Sequence, residues 1–238
     1  MDKVNITLPS KCLVYKDVDS SKIFIRTLKG KDEKLISELS MDNFDRKFIQ
    51  VLANVLEGID PKQLTLGDRK YVMLWLAIQS YSSKHPISFT CSSCLSKLEM
   101  EADLSTLAIK TLPEDFVEPY AMTLSDNSTV NLRLLRVKDE LDLADLEKAG
   151  TNIWLYRVAM SMVGPESIVE KNAFLENLGV IDIAKIRSFQ ERFDHGPVME
   201  TTFDCEKCGV TGKVPVPFRI EMFFPFGERL ARYFGASS

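Results

Sequence analysis

Apolar residues recur at every second place in two widely separated stretches of the chain. Leu98, Met100, Ala102 and Leu104 form the first series; Val210, Gly212, Val214, Val216 and Phe218 keep the same alternation in the second. A period of two predicts β-strands. Each series follows a Phe-x-Cys-x-x-Cys run, Phe89 to Cys94 and Phe203 to Cys208. Each Cys-x-x-Cys pair is therefore expected at the turn of a β-hairpin. Elsewhere the spacing is helical. Phe44, Phe48, Val51, Leu52, Val55 and Leu56 line one stripe, closed by Gly58 and then Pro61. Trp154, Leu155, Val158, Ala159 and Met162 line another, closed by Gly164-Pro165. Tyr71 to Ile78 is apolar nearly all round and should be the most buried helix. At the start, Val4, Ile6 and Leu8 alternate as a strand that Pro9-Ser10 turns.

The pattern also repeats. Arg26-Thr-Leu-Lys-Gly-Lys-Asp-Glu33 matches Arg133-Leu-Leu-Arg-Val-Lys-Asp-Glu140 at an offset of 107. Both lead into a helix whose first turn carries Asp-Glu, where carboxylates favour the N-terminal dipole. Val51 to Gly58 lines up with Arg157 to Gly164 at an offset of 106. Asp68, read as an N-cap before Tyr71, Leu74 and Trp75, aligns with Asp182 at an offset of 114, and the cysteine pairs share that offset. The growth from 106 to 114 implies an eight-residue insertion near Pro165 to Ala173. The expectation is an α+β fold of two tandem, pseudo-duplicated, helix-rich halves, each ending in a Cys-x-x-Cys hairpin. The first repeat spans 1–110, a connector with two prolines and three acids spans 111–119, the second repeat spans 120–220, and an aromatic tail spans 221–238. Strands and helices do not alternate regularly, which argues against a parallel α/β sheet.

With 30 basic and 34 acidic residues the net charge is -4, so the chain lacks the basic footprint of a nucleic-acid binder. The start has no signal-peptide apolar core, and no apolar run approaches a membrane span. A reducing cytosol follows as the expected compartment, where paired cysteines bind metal more often than they form disulfides. Cys91, Cys94, Cys205 and Cys208 then read as a four-thiolate Zn²⁺ site in a zinc-ribbon-like unit made by the two hairpins. Only Cys208 is followed by a glycine that eases the turn. The bland alternative is four unliganded thiols. A thioredoxin-like redox pair is disfavoured, because that motif opens a helix. Four thiolates saturate the metal, so its expected role is structural, closing a loop of about a hundred residues worth about 4–5 kcal/mol in the chain-entropy model. Cys12 is expected to pack as a small apolar residue.

His85 and His195 stand shortly before the two cysteine pairs, either as hydrogen-bond donors to a thiolate or as ordinary polar loop positions. Nothing pairs a nucleophile with a base, and no glycine loop suits a phosphate, so no enzyme is expected and no small-molecule substrate. The aromatic end, with Phe223, Phe224, Phe226, Tyr233 and Phe234, either docks a partner or folds back over the core.

Ile6-Thr-Leu-Pro-Ser10, Leu66-Gly-Asp-Arg-Lys-Tyr-Val-Met-Leu-Trp-Leu-Ala-Ile-Gln-Ser-Tyr81, the Phe89 to Cys94 run and Phe223-Phe224-Pro225 resemble the T-even-type bacteriophage baseplate hub assembly family. The resemblance implies a viral late protein of the host cytoplasm, acting in tail assembly through baseplate hub and tail proteins. It implies either an assembly chaperone or a hub subunit retained in the virion, and it carries over no catalytic residue. A cytosolic zinc-ribbon adaptor is the reading outside that family.

Overall fold

In the computed structural model, which describes residues 3–39 and 44–217, two short sheets each open a run of helices. The first run comprises β1 Val4–Asn5, β2 Phe24–Ile25, α1 Gly30–Ser37, α2 Phe44–Val55, β3 Leu56–Glu57 and α3 Leu66–Ser80. The hairpin β4 Lys84–Thr90 and β5 Lys97–Asp103 follows, then β6 Ile109–Lys110. The second run comprises β7 Tyr120–Thr123, β8 Thr129–Leu132, α4 Val137–Lys148, α5 Trp154–Met160, β9 Met162–Val163, α6 Ile168–Glu176 and α7 Val180–Arg192. It continues with β10 Gly196–Pro197 and the hairpin β11 Glu200–Asp204 and β12 Thr211–Pro215. Every strand pair is antiparallel, so the chain is α+β. No helix among the described residues is long and apolar enough to cross a membrane.

The sheets are ordered β1-β2-β3 and β7-β8-β9, and each middle strand hands over to a helix in the same way. The amide of Arg26 donates to the Val55 carbonyl, and that of Arg133 to the Ser161 carbonyl, extending each ladder by one step. Each guanidinium then grips an aspartate in the first turn of the next helix. Arg26 holds Asp32 at 2.7 and 3.1 Å, and Arg133 holds Asp139 at 2.7 and 2.8 Å. The same carboxylates accept from the backbone amides of Lys29 and Arg136, which begin α1 and α4. One acid thus caps a helix and fixes the strand that feeds it, which explains the Asp-Glu starts.

The other helix starts differ from the sequence expectation. Asp68 is not the N-cap of α3; Thr65 is, its hydroxyl accepting from the Asp68 amide at 3.1 Å. The Thr-x-x-Asp spacing moves the start three residues earlier and turns the Asp68 carboxylate inward. There it accepts from the Ser10 amide at 2.9 Å and the Tyr15 hydroxyl at 2.5 Å. Asp182 likewise lies inside α7, whose N-cap is Gly179, and takes the amide and hydroxyl of Ser125 at 3.0 and 2.8 Å. Two residues of the helical stripes, Leu56 and Met162, belong instead to β3 and β9, because the chain extends there to pair with β2 and β8. Trp154, expected on a buried stripe, is half exposed at the first position of α5, with the Arg187 guanidinium 5.2 Å from its ring centre. Where β3 reaches α3 through a single 3₁₀ turn, Pro61–Gln63, the second run inserts the whole of α6.

Packing crosses the order of the chain. One core joins α1, α2 and α3 to β4 and β5, and it also takes Phe203, Cys205, Val214 and Val216 from the last hairpin. The other gathers Leu112 and Phe116 of the connector with Leu132, Leu175, Ile186 and Phe189. Between them β6 pairs with β10. There the backbones of Gly67 and Gly196 touch: a Cβ on Gly196 would stand 2.5 Å from the Gly67 carbonyl oxygen, and one on Gly67 2.3 Å from that of His195. The left-handed φ of +98° at Gly196 suits glycine as well.

Candidate metal centre

Each hairpin carries its cysteines across a knuckle of the same construction. In the first, the Cys91 amide donates to the Ser96 carbonyl at 2.9 Å and the Leu95 amide to the Cys91 carbonyl at 3.0 Å. In the second, Cys205 donates to Val210 at 2.9 Å and Gly209 to Cys205 at 2.8 Å. Closing these turns needs a left-handed residue after the second cysteine. Gly209 supplies it at φ 72°, whereas Leu95 adopts φ 58° with its side chain 76% exposed. A leucine there carries strain of about 1–2 kcal/mol that a glycine avoids.

The two phenylalanines that precede the cysteines bring the hairpins together. Phe89 and Phe203 meet edge to face, their ring centres 4.6 Å apart. Phe203 lies opposite Gly212, and a Cβ there would press to 3.0 Å of the ring. The missing side chain makes room for the aromatic contact, and the contact aligns the knuckles.

The result is a compact cluster of four sulfurs. Cys91 Sγ lies 3.8 Å from Cys208 Sγ, and Cys94 Sγ 3.7 Å from Cys205 Sγ. All four atoms lie within 4.8 Å of one another. Disulfides need about 2.05 Å, so these are free thiols. Four sulfurs at about 2.3 Å around a tetrahedral zinc stand about 3.8 Å from each other, so the spacing fits a metal without rearrangement. Cys91 and Cys205 are buried, Cys94 is half-buried and Cys208 is exposed, so each hairpin offers one inner and one outer ligand.

The thiols are electrostatically unequal. The hydroxyl and amide of Ser96, with help from Cys208 and Cys205, hold Cys94 down to about 6. At Cys208 the Val210 amide works downward, but the Cys205, Cys94 and Cys91 sulfurs and desolvation together push the thiol up to about 11. Thiolates this close repel one another, and a divalent cation removes that repulsion. Ser96 was not singled out in the sequence; only its place two residues after Cys94 could have marked it.

The histidines stand elsewhere. His195 is buried, its Nδ1 donating to the Phe193 carbonyl at 2.9 Å and its Nε2 meeting the Thr65 hydroxyl at 2.6 Å. It ties β10 to α3 and touches no sulfur, because Thr65 lies within reach and the knuckle does not. His85 is buried in β4 opposite Ala102, on the face shared with Ile87. Cys12 packs half-buried against the first core, and burial, then Asp68 and Asp19, push its thiol up to about 11. Phe223, Phe224, Phe226, Tyr233 and Phe234 lie outside the described residues.

The family model described as T4 bacteriophage base plate protein matches residues 3–225. No curated protein and no solved structure matches the chain.

Proposed function

We propose, from the premise that the chain belongs to the T4 bacteriophage base plate protein family, that it is a baseplate hub assembly chaperone. It acts by binding hub and tail proteins in the host cytoplasm during tail morphogenesis, and it does no catalysis. The baseplate context comes from the family match; the chaperone role is our reading of the sequence resemblance. The observation that carries the non-catalytic part is the donor set. Cys91, Cys94, Cys205 and Cys208 lie within 4.8 Å of one another and would fill all four positions of a tetrahedral ion. Such a site leaves no place for a water or a substrate.

We assign Zn²⁺ to these cysteines. When bound, it supplies a cross-link between segments far apart in the chain and neutralises the crowded thiolates. Ser96 and Val210 orient the ligands through the knuckle hydrogen bonds, while Phe89 and Phe203 hold the hairpins in register and keep water from the inner pair. We also read the halves as copies of one unit. The paired sheets, the two arginine–aspartate grips and the two knuckles support that reading. On it, the first copy spans 1–110 and the second 120–220, and the second hairpin reaches across to the first copy's core.

The alternative within the family is a structural hub subunit retained in the virion. Protein analysis of purified particles separates the two. A chaperone is absent from finished particles but co-purifies with hub proteins from infected cells. Stoichiometric presence in the particle supports the subunit instead.

A further inference from the structure

A cleft of about 970 Å³ lies between the two runs, walled by the β1–β2 loop, the 3₁₀ turn at Pro61–Gln63, and α4, α5 and β9. Its charge opposes that of the whole chain. Six basic and three acidic side chains line it, although the chain carries -4. Asp139 pairs within the lining with Arg133, cancelling one charge of each sign, and Asp145 pairs with Arg46 outside it. Lys16, Lys62 and Lys138 are exposed and form no ion pair among the described residues, leaving Asp142 as the one uncommitted acid. Between the charges runs a floor of Val14, Leu146, Met160, Met162 and Ile168, all half-buried. Unbranched methionines adapt to varied partners.

The wall is held in place from both sides. Arg136 donates to the Val14 carbonyl at 3.1 Å and to Glu118, and its guanidinium lies 5.6 Å from the centre of the Tyr15 ring. Tyr15 is itself fixed by Asp68 and by the Thr65 amide at 2.8 Å. Lys171 closes the β9 edge by donating to the carbonyls of Met162 and Gly164, at 2.9 and 3.3 Å. That edge is therefore covered, and side chains rather than a new strand would do the binding.

We propose that this cleft takes an extended acidic segment of a partner baseplate protein. Its carboxylates would meet Lys16, Lys62 and Lys138, and its apolar side chains would meet the methionine floor. The inference rests on the protein-binding reading above and adds the class of ligand. Small-molecule sites are enclosed, whereas this trough is broad and open to solvent. Tyr15, the one aromatic residue among the described residues of the lining, is buried and offers a nucleic acid no stacking face.

The test uses the full chain in two arms. In the first, a fluorescent peptide alternating glutamate and valine is titrated by anisotropy, beside a glutamine–valine control and a single-stranded oligonucleotide. The acidic peptide should bind in a salt-sensitive way, and Lys62→Glu with Lys138→Glu should weaken it about tenfold or more. Equal binding of both peptides, an unaffected double variant, or tighter binding of the oligonucleotide would overturn the proposal. In the second arm, tagged wild type and double variant capture baseplate proteins from phage-infected cells. The variant should capture far less. Equal capture removes the cleft while sparing the protein-binding reading, whereas no capture by wild type removes both. Circular dichroism checks the fold, and Lys16→Glu, on a different element, provides an independent variant.

Discussion

The two runs of helices use one arginine–aspartate grip and bury it to different depths. The side chains of Arg26 and Asp32 are 9% and 0% exposed, those of Arg133 and Asp139 30% and 9%. The bonds are nearly identical, so the difference lies in what covers them. The first grip lies beside the core that also receives the last hairpin, through Phe203, Cys205, Val214 and Val216. The second joins β8, whose Leu132 lies in the smaller core, to α4, whose Val137 lies in the first, and its arginine borders the cleft. Local geometry is thus repeated while burial is not, and burial decides how much a shared device contributes.

The largest expected effect tests that directly. Asp32→Ala leaves a buried guanidinium without its partner and should cost about 3–5 kcal/mol in denaturant unfolding. Asp139→Ala, with water able to reach Arg133, should cost about 1–3 kcal/mol. Equal losses would break the comparison. Next comes the borrowed hairpin. Phe203→Ala should cost about 3 kcal/mol, and hydrogen exchange should rise along β4, β5 and α3 more than along α7. A rise confined to β11 and β12 would show that the last hairpin does not support the first core.

Acid sharpens the same contrast. Burial raises the Asp32 carboxyl, but the Arg26 guanidinium and the Lys29 amide outweigh it and hold the group below the usual carboxylate range. A depressed folded value means its contribution is present above the unfolded value, near pH 4, and is lost as pH falls through the folded value below that. The wild type should therefore lose stability more steeply below about pH 4 than Asp32→Ala does. Parallel acid curves would contradict the assignment. The smallest effect concerns the knuckles. Leu95→Gly relieves the left-handed strain but adds unfolded-chain entropy, so it should stabilise the first by under about 1 kcal/mol. Gly209→Ala, with open space at its Cβ, should destabilise the second by about 1 kcal/mol. Thermal unfolding of both variants reads the opposite signs.

Much of the site was legible because its chemistry is local in sequence. Phe-x-Cys-x-x-Cys followed by period-two apolar residues describes a hairpin with two thiols at its tip, and both hairpins form. The Asp-Glu starts of α1 and α4 were legible for the same reason, since a cap and its helix lie within one turn. Asp68 was misplaced because an acid before an apolar stripe looks like an N-cap, while Thr65 three residues earlier wins the amide. Trp154 followed its stripe on paper, but it stands half exposed at the first position of α5, against Arg187. Beyond the meeting of the two knuckles, the pattern could not show which distant segments touch. Neither the seating of β11 and β12 in the first core, nor the Gly67–Gly196 approach, nor the bond from His195 to Thr65 leaves a periodic trace.

One ion held by Cys91, Cys94, Cys205 and Cys208 would pin the last hairpin to the first core. Metal analysis of the purified full-length chain, run beside hydrogen exchange before and after chelation, tests it most directly. One zinc per chain is expected, lost on chelation together with protection at β11, β12 and the facing strands β4 and β5. A metal-free chain, purified without chelator, whose hairpins are as protected as those of a zinc-supplemented sample would contradict it.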